Sequence, residues 1–128
     1  MKNDLPRLSK TSFPPLLHLT YHLQQLADDR LNSEAGVGLS QARIMSALGS
    51  SPTSQRAIAV TLRQTEANVS RQLKVMRKAG LVNIVKNKKD GRQRDVTLTA
   101  QGQSKYEKAE ATLASMENIF EKEIKNYL

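Results

Sequence analysis

Leu16, Leu19, Leu23 and Leu26 recur at steps of three and four, the spacing that gathers apolar side chains on one face of a helix. Ser12 is the expected cap, with Pro14 and Pro15 in a first turn where a missing N–H costs nothing. The helix should end within "DRLNSEAGVG", at its Asn and Gly. Leu17, Tyr21 and Leu31 widen the apolar surface, so this helix is expected to meet two partners.

"LSQARIMSALG" predicts a shorter helix, with Ser40 as cap, Ile44 and Leu48 inward and Gly49 as stop. After the loop "SSPT", Ser54 caps "SQRAIAVTL", which buries Ile58 and Leu62. Only "RQ" separates it from Thr65, the cap of "EANVSRQLKVMRKAG". There Glu66 suits the positive helix end and Gly80 the stop. Two short helices joined so tightly describe a helix-turn-helix.

Ile84, Val96 and Leu98 then alternate with polar residues, the period of half-buried strands. Between them the loop 87–94 holds Asp90-Gly91, a strong turn signal. Thr99 caps one last helix running to the end of the chain. Tyr106, Leu113, Phe120 and Tyr127 share one heptad position in it, with Ala109 and Met116 at the other. The predicted order is helix, helix, helix-turn-helix, hairpin, helix.

Charge sharpens this picture. From Ser54 to Arg94 eleven basic residues face two acids, a net +9 in 41 residues, and the other 87 carry a net −1. A solubility device would be spread over the surface; a localised block is the footprint of a nucleic-acid or anionic-membrane site. No apolar run is long enough for a membrane span, and "MKNDLPRLSK" lacks the apolar core of a signal peptide, so a soluble, cytoplasmic protein is expected. The absence of cysteine excludes a disulfide framework, a thiolate metal site and a thiol sensor.

On the helix beginning at Glu66, a turn of about 100° per residue puts Val69, Leu73 and Met76 on one face. Ala67, Arg71, Lys74 and Lys78 fall opposite, flanked by Asn68 and Ser70. This face suits a DNA major groove. Arg can pair twice with guanine and Asn with adenine, Lys or Ser can hold phosphates, and Ala67 permits close approach. An ordinary solvated basic face has the same composition.

The run from Leu39 to Gly102 resembles the winged helix-turn-helix of the MarR family of bacterial and archaeal transcription regulators. "LSQARIMSAL", "SQRAIAVTL" and "TEANVSRQLKVMRKAGLV" carry the likeness, and "DGRQRDVTLTAQG" is similar to the family's wing signature through Asp90, Arg92, Thr99 and Gly102. One departure is Arg63-Gln64, where many members place Gly before the recognition helix. The resemblance implies a mainly α fold with a small β-hairpin. Residues 39–99 would form a winged helix-turn-helix DNA-binding lobe, with N- and C-terminal dimerisation helices at 12–35 and 100–128. Double-stranded DNA and a second copy of the chain are the implied partners. The expected DNA-contacting set is Ser54, Arg63, Thr65, Ala67, Asn68, Ser70, Arg71, Lys74 and Lys78, with Lys88, Lys89, Asp90, Arg92 and Arg94 from the wing. Arg92 would enter the minor groove, its guanidinium oriented by Asp90; Lys88 and Lys89 fit a solvated turn equally well.

A homodimer would use Leu16, Leu19, Leu23, Leu113, Met116, Phe120 and Tyr127, although the last helix could equally pack on the chain's own first helix. Relatives in the family bind small aromatic acids, and here Tyr21, His22 and Arg43 would line such an effector site; a constitutive repressor fits as well. His18 and His22 stand four apart, but with no third His and no Cys a metal site is not expected, nor any cofactor. No catalytic constellation is present, so an enzyme is not expected. The competing class is a winged-helix module for protein or anionic-surface contact with only non-specific DNA binding.

Overall fold

A computed structural model describes residues 14–48 and 51–127. Helices α1 (Pro15–Glu34), α2 (Leu39–Ala47), α3 (Gln55–Leu62), α4 (Glu66–Lys78), α5 (Ala100–Ser115) and α6 (Glu117–Tyr127) carry most of it, with strands β1 (Thr53–Ser54), β2 (Val82–Lys86) and β3 (Arg94–Leu98). The mainly α fold with a small antiparallel sheet is as expected. The residues fall into two compact units: those up to Leu39 with those from Ala109 onward, and Ser40–Lys108. Among the described residues no helix is long and apolar enough to cross a membrane.

In the first unit, α1 begins with Pro14 at the cap position and Pro15 at its first turn; the expected cap, Ser12, lies outside the described residues. The helix closes through Ala35 and Gly36, whose amides both reach the Leu31 carbonyl, with Gly36 at φ 71°. Its inward line is Leu19, Ala27 and Leu31. The leucine stripe is only partly that line: Leu23 and Leu26 are half-buried and Leu16 is 67% exposed. Leu17 and Tyr21 are exposed as well.

The single C-terminal helix expected from the heptads is broken in two. At the break, the Ser115 hydroxyl donates to the Thr112 carbonyl (2.6 Å) and the Met116 amide reaches back only three residues, to Leu113 (3.1 Å). Such hydroxyl bonds compete with the helical ladder and bend it. Ala109 and Met116 are buried, and the next residue in their seven-residue series, Glu123, is buried too.

The second unit holds the helix-turn-helix, α3 and α4, and a three-stranded sheet of order β1-β3-β2. Thr53 pairs with Val96 in one ladder, and Val82 with Leu98 through Lys86 with Arg94 in the other. "SSPT" was expected to be wholly loop; its last residue, Thr53, forms β1 together with Ser54, too short a strand to show any alternation. Ile44, Met45, Ile58, Val69, Leu73, Met76, Val82 and Val96 make the core. Ile58 is buried as expected, but Leu62 is half-buried, and Ala59 takes the second inward place on α3.

Two start signals meet different fates. Ser40 is not a cap: α2 already begins at Leu39, whose amide donates to Asp28 Oδ1 (2.8 Å). A carboxylate distant in sequence has taken the role. Thr99 does cap α5, accepting from the Gly102 amide (2.9 Å) while its hydroxyl donates to the Gly80 carbonyl (2.6 Å). Since the Thr99 amide also reaches Leu81 (3.0 Å), the start of α5 is tied to the end of α4. That tie is why the winged unit runs to Lys108 and not only to residue 99.

Candidate nucleic-acid interface

The second unit sets α4 by two local devices. Thr65 Oγ1 accepts from the Asn68 amide (3.1 Å), and at the far end Gly80, at φ 79°, and Leu81 return hydrogen bonds to Arg77 and Met76. Glu66 and the Arg77–Lys78 pair match the helix dipole at its two ends. With Val69, Leu73 and Met76 buried, Ala67, Arg71, Lys74 and Lys78 are all exposed and Asn68 and Ser70 half-buried.

The turn before α4 repeats the closure seen at Gly80. The Arg63 amide reaches Val60 (3.2 Å) and the Gln64 amide reaches Ala59 (2.9 Å). Arg63 therefore takes the left-handed place a glycine would fill, at φ 54°, and among the described residues it is the only non-glycine there. Its side chain is exposed.

The hairpin tip is organised by three side chains that sequence reading passed over. Asn87 Oδ1 accepts from the Lys89 and Asp90 amides (2.8 and 3.0 Å), and its Nδ2 donates to Asp95 Oδ2 (2.8 Å). Gln93 Nε2 donates to the other oxygen of Asp95 (2.8 Å). An Asn three residues before Asp-Gly was the available signal for this turn.

The expected grip of Asp90 on the Arg92 guanidinium is not found. Asp90 Oδ1 instead accepts from the Arg92 backbone amide (3.0 Å), so it shapes the turn, and among the described residues the Arg92 guanidinium makes no ion pair. Arg94 belongs to β3, not the loop, and its Nη1 donates to the Gly91 carbonyl (3.1 Å). Lys88 and Lys89 are exposed.

Helix and hairpin share a cleft. One recess of about 390 Å³ is lined by Ser54, Arg56, Glu66, Asp90, Arg92 and Arg94. A second, of about 350 Å³, is lined by Ser70, Lys74, Arg77, Arg92 and Arg94. Five guanidinium or ammonium groups border these recesses against two carboxylates, an arrangement fitted to polyanion backbone. Arg56 and Arg77 were absent from the expected set. Ser54 enters it with its hydroxyl already accepting from the Ala57 amide (3.0 Å), which leaves its proton to donate outward.

The remaining expectations lie in other places. Tyr21 and Arg43 are exposed; His22 is largely buried, its Nε2 3.4 Å from Glu123 Oε2. Leu19 and Met116, expected at a dimer interface, are buried within the chain itself, whereas Leu16 is exposed and Leu23, Leu113, Phe120 and Tyr127 are half-buried. Among the described residues no group of three or more His, Asp or Glu stands close enough to hold a metal ion.

Comparison with known proteins follows the same lines. The sequence model of the MarR family matches residues 35–93. No curated protein sequence matches the chain. Among solved structures, the Mycobacterium tuberculosis transcriptional regulator MosR in complex with DNA is similar at TM-score 0.70 and 24% identity, over 79% of this chain and 73% of that one. BldR, a transcriptional regulator from Sulfolobus solfataricus, is similar at TM-score 0.74 and 19% identity, over 80% and 74%. The Streptomyces coelicolor regulator PcaV with its natural ligand is similar at TM-score 0.72 and 20% identity, over 90% and 81%.

Proposed function

We propose that the protein is a dimeric, sequence-specific DNA-binding regulator of the MarR family, whose sequence model matches residues 35–93, and that it acts as a repressor. In this reading α4 enters the major groove and the wing at 87–94 reaches the adjacent minor groove of a pseudo-palindromic operator. The observation that carries it is the shared cleft. Arg92 borders both recesses together with side chains of α4, so one polyanion can meet helix and wing together.

The chemistry of each part supports a division of labour. Arg71, unburied on α4, suits the two acceptors of a guanine edge. Arg92, with a guanidinium that no carboxylate engages, suits a narrow A·T-rich minor groove, where negative potential concentrates. Lys74, Lys78, Arg56 and Arg63 suit phosphates, which set register and affinity but not sequence.

Dimerisation follows from two features. The exposed apolar residues Leu16, Leu17 and Tyr21 of α1 need a partner surface, and a two-fold pair of recognition helices would read half-sites about one turn, about 10 bp, apart. Release by a small aromatic acid completes the proposal. Of the residues expected at such a site, Tyr21 and Arg43 are each exposed within their own units, while His22 is engaged by Glu123.

Selection of bound sequences from a random duplex pool, wild type beside Arg92→Ala, tests the reading. An enriched pseudo-palindrome whose flanking A·T preference fades in the variant is the expected result. Retention of DNA at low salt alone, with no enriched sequence, would turn the patch into a general anion surface and defeat the proposal.

A further inference from the structure

The turn between α3 and α4 is wired to the reading face of α4 through three amide side chains. Gln64 Oε1 accepts from Asn68 Nδ2 at 2.9 Å and from Gln72 Nε2 at 3.3 Å. Asn68 Oδ1 in turn accepts from Arg71 Nη2 at 3.3 Å. Gln64, Asn68 and Gln72 are half-buried, Arg71 is exposed, and Gln72 Oε1 is buried without a partner. The root of the chain of bonds is rigid as well, since the Gln64 amide is held by Ala59 and follows the left-handed Arg63.

This wiring changes what Asn68 can do. To read adenine, an Asn amide must offer its N–H and its carbonyl to the base at the same time. Here Gln64 engages one of its two N–H donors and Arg71 one of its two carbonyl lone pairs, so internal bonds set the amide plane and adenine could be read only in the orientation they leave. Arg71 is in the opposite position. Its guanidinium carries five N–H donors, of which Asn68 engages one, and the two acceptors of guanine require only two more. A free Arg side chain loses rotamer entropy when it is fixed on a base, and an arginine already held in place loses less of it on binding.

We propose that Gln64 and Asn68 are positioning residues that preset Arg71 for one guanine in each half-site, so that base choice there is governed from the helix-turn-helix turn. The proposal rests on the DNA-reading function argued above. It assigns Asn68 a role different from base contact, and it gives Gln64 a role although its own side chain points at the protein.

Four variants separate the possibilities. Gln64→Met removes the acceptor at nearly constant volume, Gln64→Glu keeps it, and Asn68→Ala and Arg71→Ala remove the later links. In competition between operators differing only at the selected guanine, Arg71→Ala should lose about tenfold or more of the discrimination. Gln64→Met and Asn68→Ala should each lose about fivefold, Gln64→Glu should retain it, and Gln64→Met added to Arg71→Ala should cost nothing further. A Gln64→Met variant that weakens binding alike on every sequence, or losses that simply multiply in the double variant, would overturn the proposal.

A second readout needs no DNA. Nitrogen relaxation at Arg71 Nε in the free protein should show a restrained side chain that loosens in Gln64→Met and Asn68→Ala and stays restrained in Gln64→Glu. Equal Arg71 mobility in all of them would also overturn it. If the wild type selects no sequence at all, the DNA-reading function itself has failed, and the relaxation experiment still decides whether Arg71 is preset.

Discussion

Gly102 packs so closely on Leu81 that a β-carbon at residue 102 would lie 2.0 Å from the Leu81 carbonyl oxygen. That oxygen also accepts from the Thr99 amide, and the Thr99 hydroxyl caps α5 at the Gly102 amide. Thr99 and Gly102 are therefore one device, the residue types that let the start of α5 sit against the end of α4. The clash is with backbone, which no rotamer can relieve. Although Gly→Ala inside a helix ordinarily stabilises, Gly102→Ala should destabilise by about 3 kcal/mol. At Gly91 an added β-carbon meets nothing within 4 Å. Gly91→Ala should thus change stability by less than about 0.5 kcal/mol. Urea denaturation of the two variants checks the contrast; equal effects would refute it.

Arg63 presents the opposite case. Its φ of 54° and ψ of 45° lie in the left-handed region, where a β-carbon costs about 1–2 kcal/mol. Glycine there removes that strain but gives the unfolded chain more freedom, so Arg63→Gly should gain about 0.5–1 kcal/mol in stability. If the guanidinium meets a phosphate, the same change should lower the slope of log affinity against log salt by about 0.9. A variant that is both more stable and less salt-sensitive would show that this chain retains a strained residue for DNA contact. A gain in stability with an unchanged slope would leave Arg63 only the strain.

The parts of the fold that were legible in the sequence are those decided within a few residues. Ser54, Thr65 and Thr99 each accept from the amide three residues on, because a cap needs only its own turn of helix. The buried face of α4 likewise follows from period alone. What escaped was decided across the chain. Ser40 lost its role to Asp28, eleven residues before Leu39. β1 exists because β3 has a free edge to pair with. In the candidate site, residue types were legible but their allegiances were not. Asp90 was expected to hold a guanidinium and holds a backbone amide, and Asn68, expected among the DNA-contacting residues, carries internal bonds to Gln64 and Arg71 that its residue type did not announce.

The heptad series Ala109, Met116, Glu123 ends in a carboxylate among otherwise apolar positions. His22 of α1 answers it at 3.4 Å, with the two side chains 13% and 11% exposed and neither facing atom in a hydrogen bond. Removing one partner leaves the other buried and unmatched, so Glu123→Leu and His22→Leu should each destabilise by about 1–3 kcal/mol. Replacing both with leucine should recover most of the loss, since a buried polar pair and an apolar pair of similar volume are often nearly equivalent. Chemical denaturation of the two single variants and the double one measures the coupling. Strictly additive losses would mean the pair does not act as a pair.

Asp95 lies in β3 opposite Val85, and its two oxygens take the side-chain amides of Asn87 and Gln93, one from each side of the hairpin. Asn87 in turn holds the Lys89 and Asp90 amides, so the conformation that projects Arg92 depends on a carboxylate three residues further along. Asp95→Ala would release both amides, at about 1 kcal/mol for each hydrogen bond, while leaving the core at Val96 in place. The removal of a negative charge should by itself strengthen binding to a polyanion. If the wing reads the minor groove as proposed, loosening the tip acts in the other direction, on the bases beneath the wing. Asp95→Ala is therefore expected to flatten base preference at the operator flanks, as Arg92→Ala does, with preference at the base pairs under α4 unchanged. Sequence selection with the three proteins side by side resolves the two contributions. Tighter binding with the flank preference intact would show that Asp95 acts on DNA through charge alone.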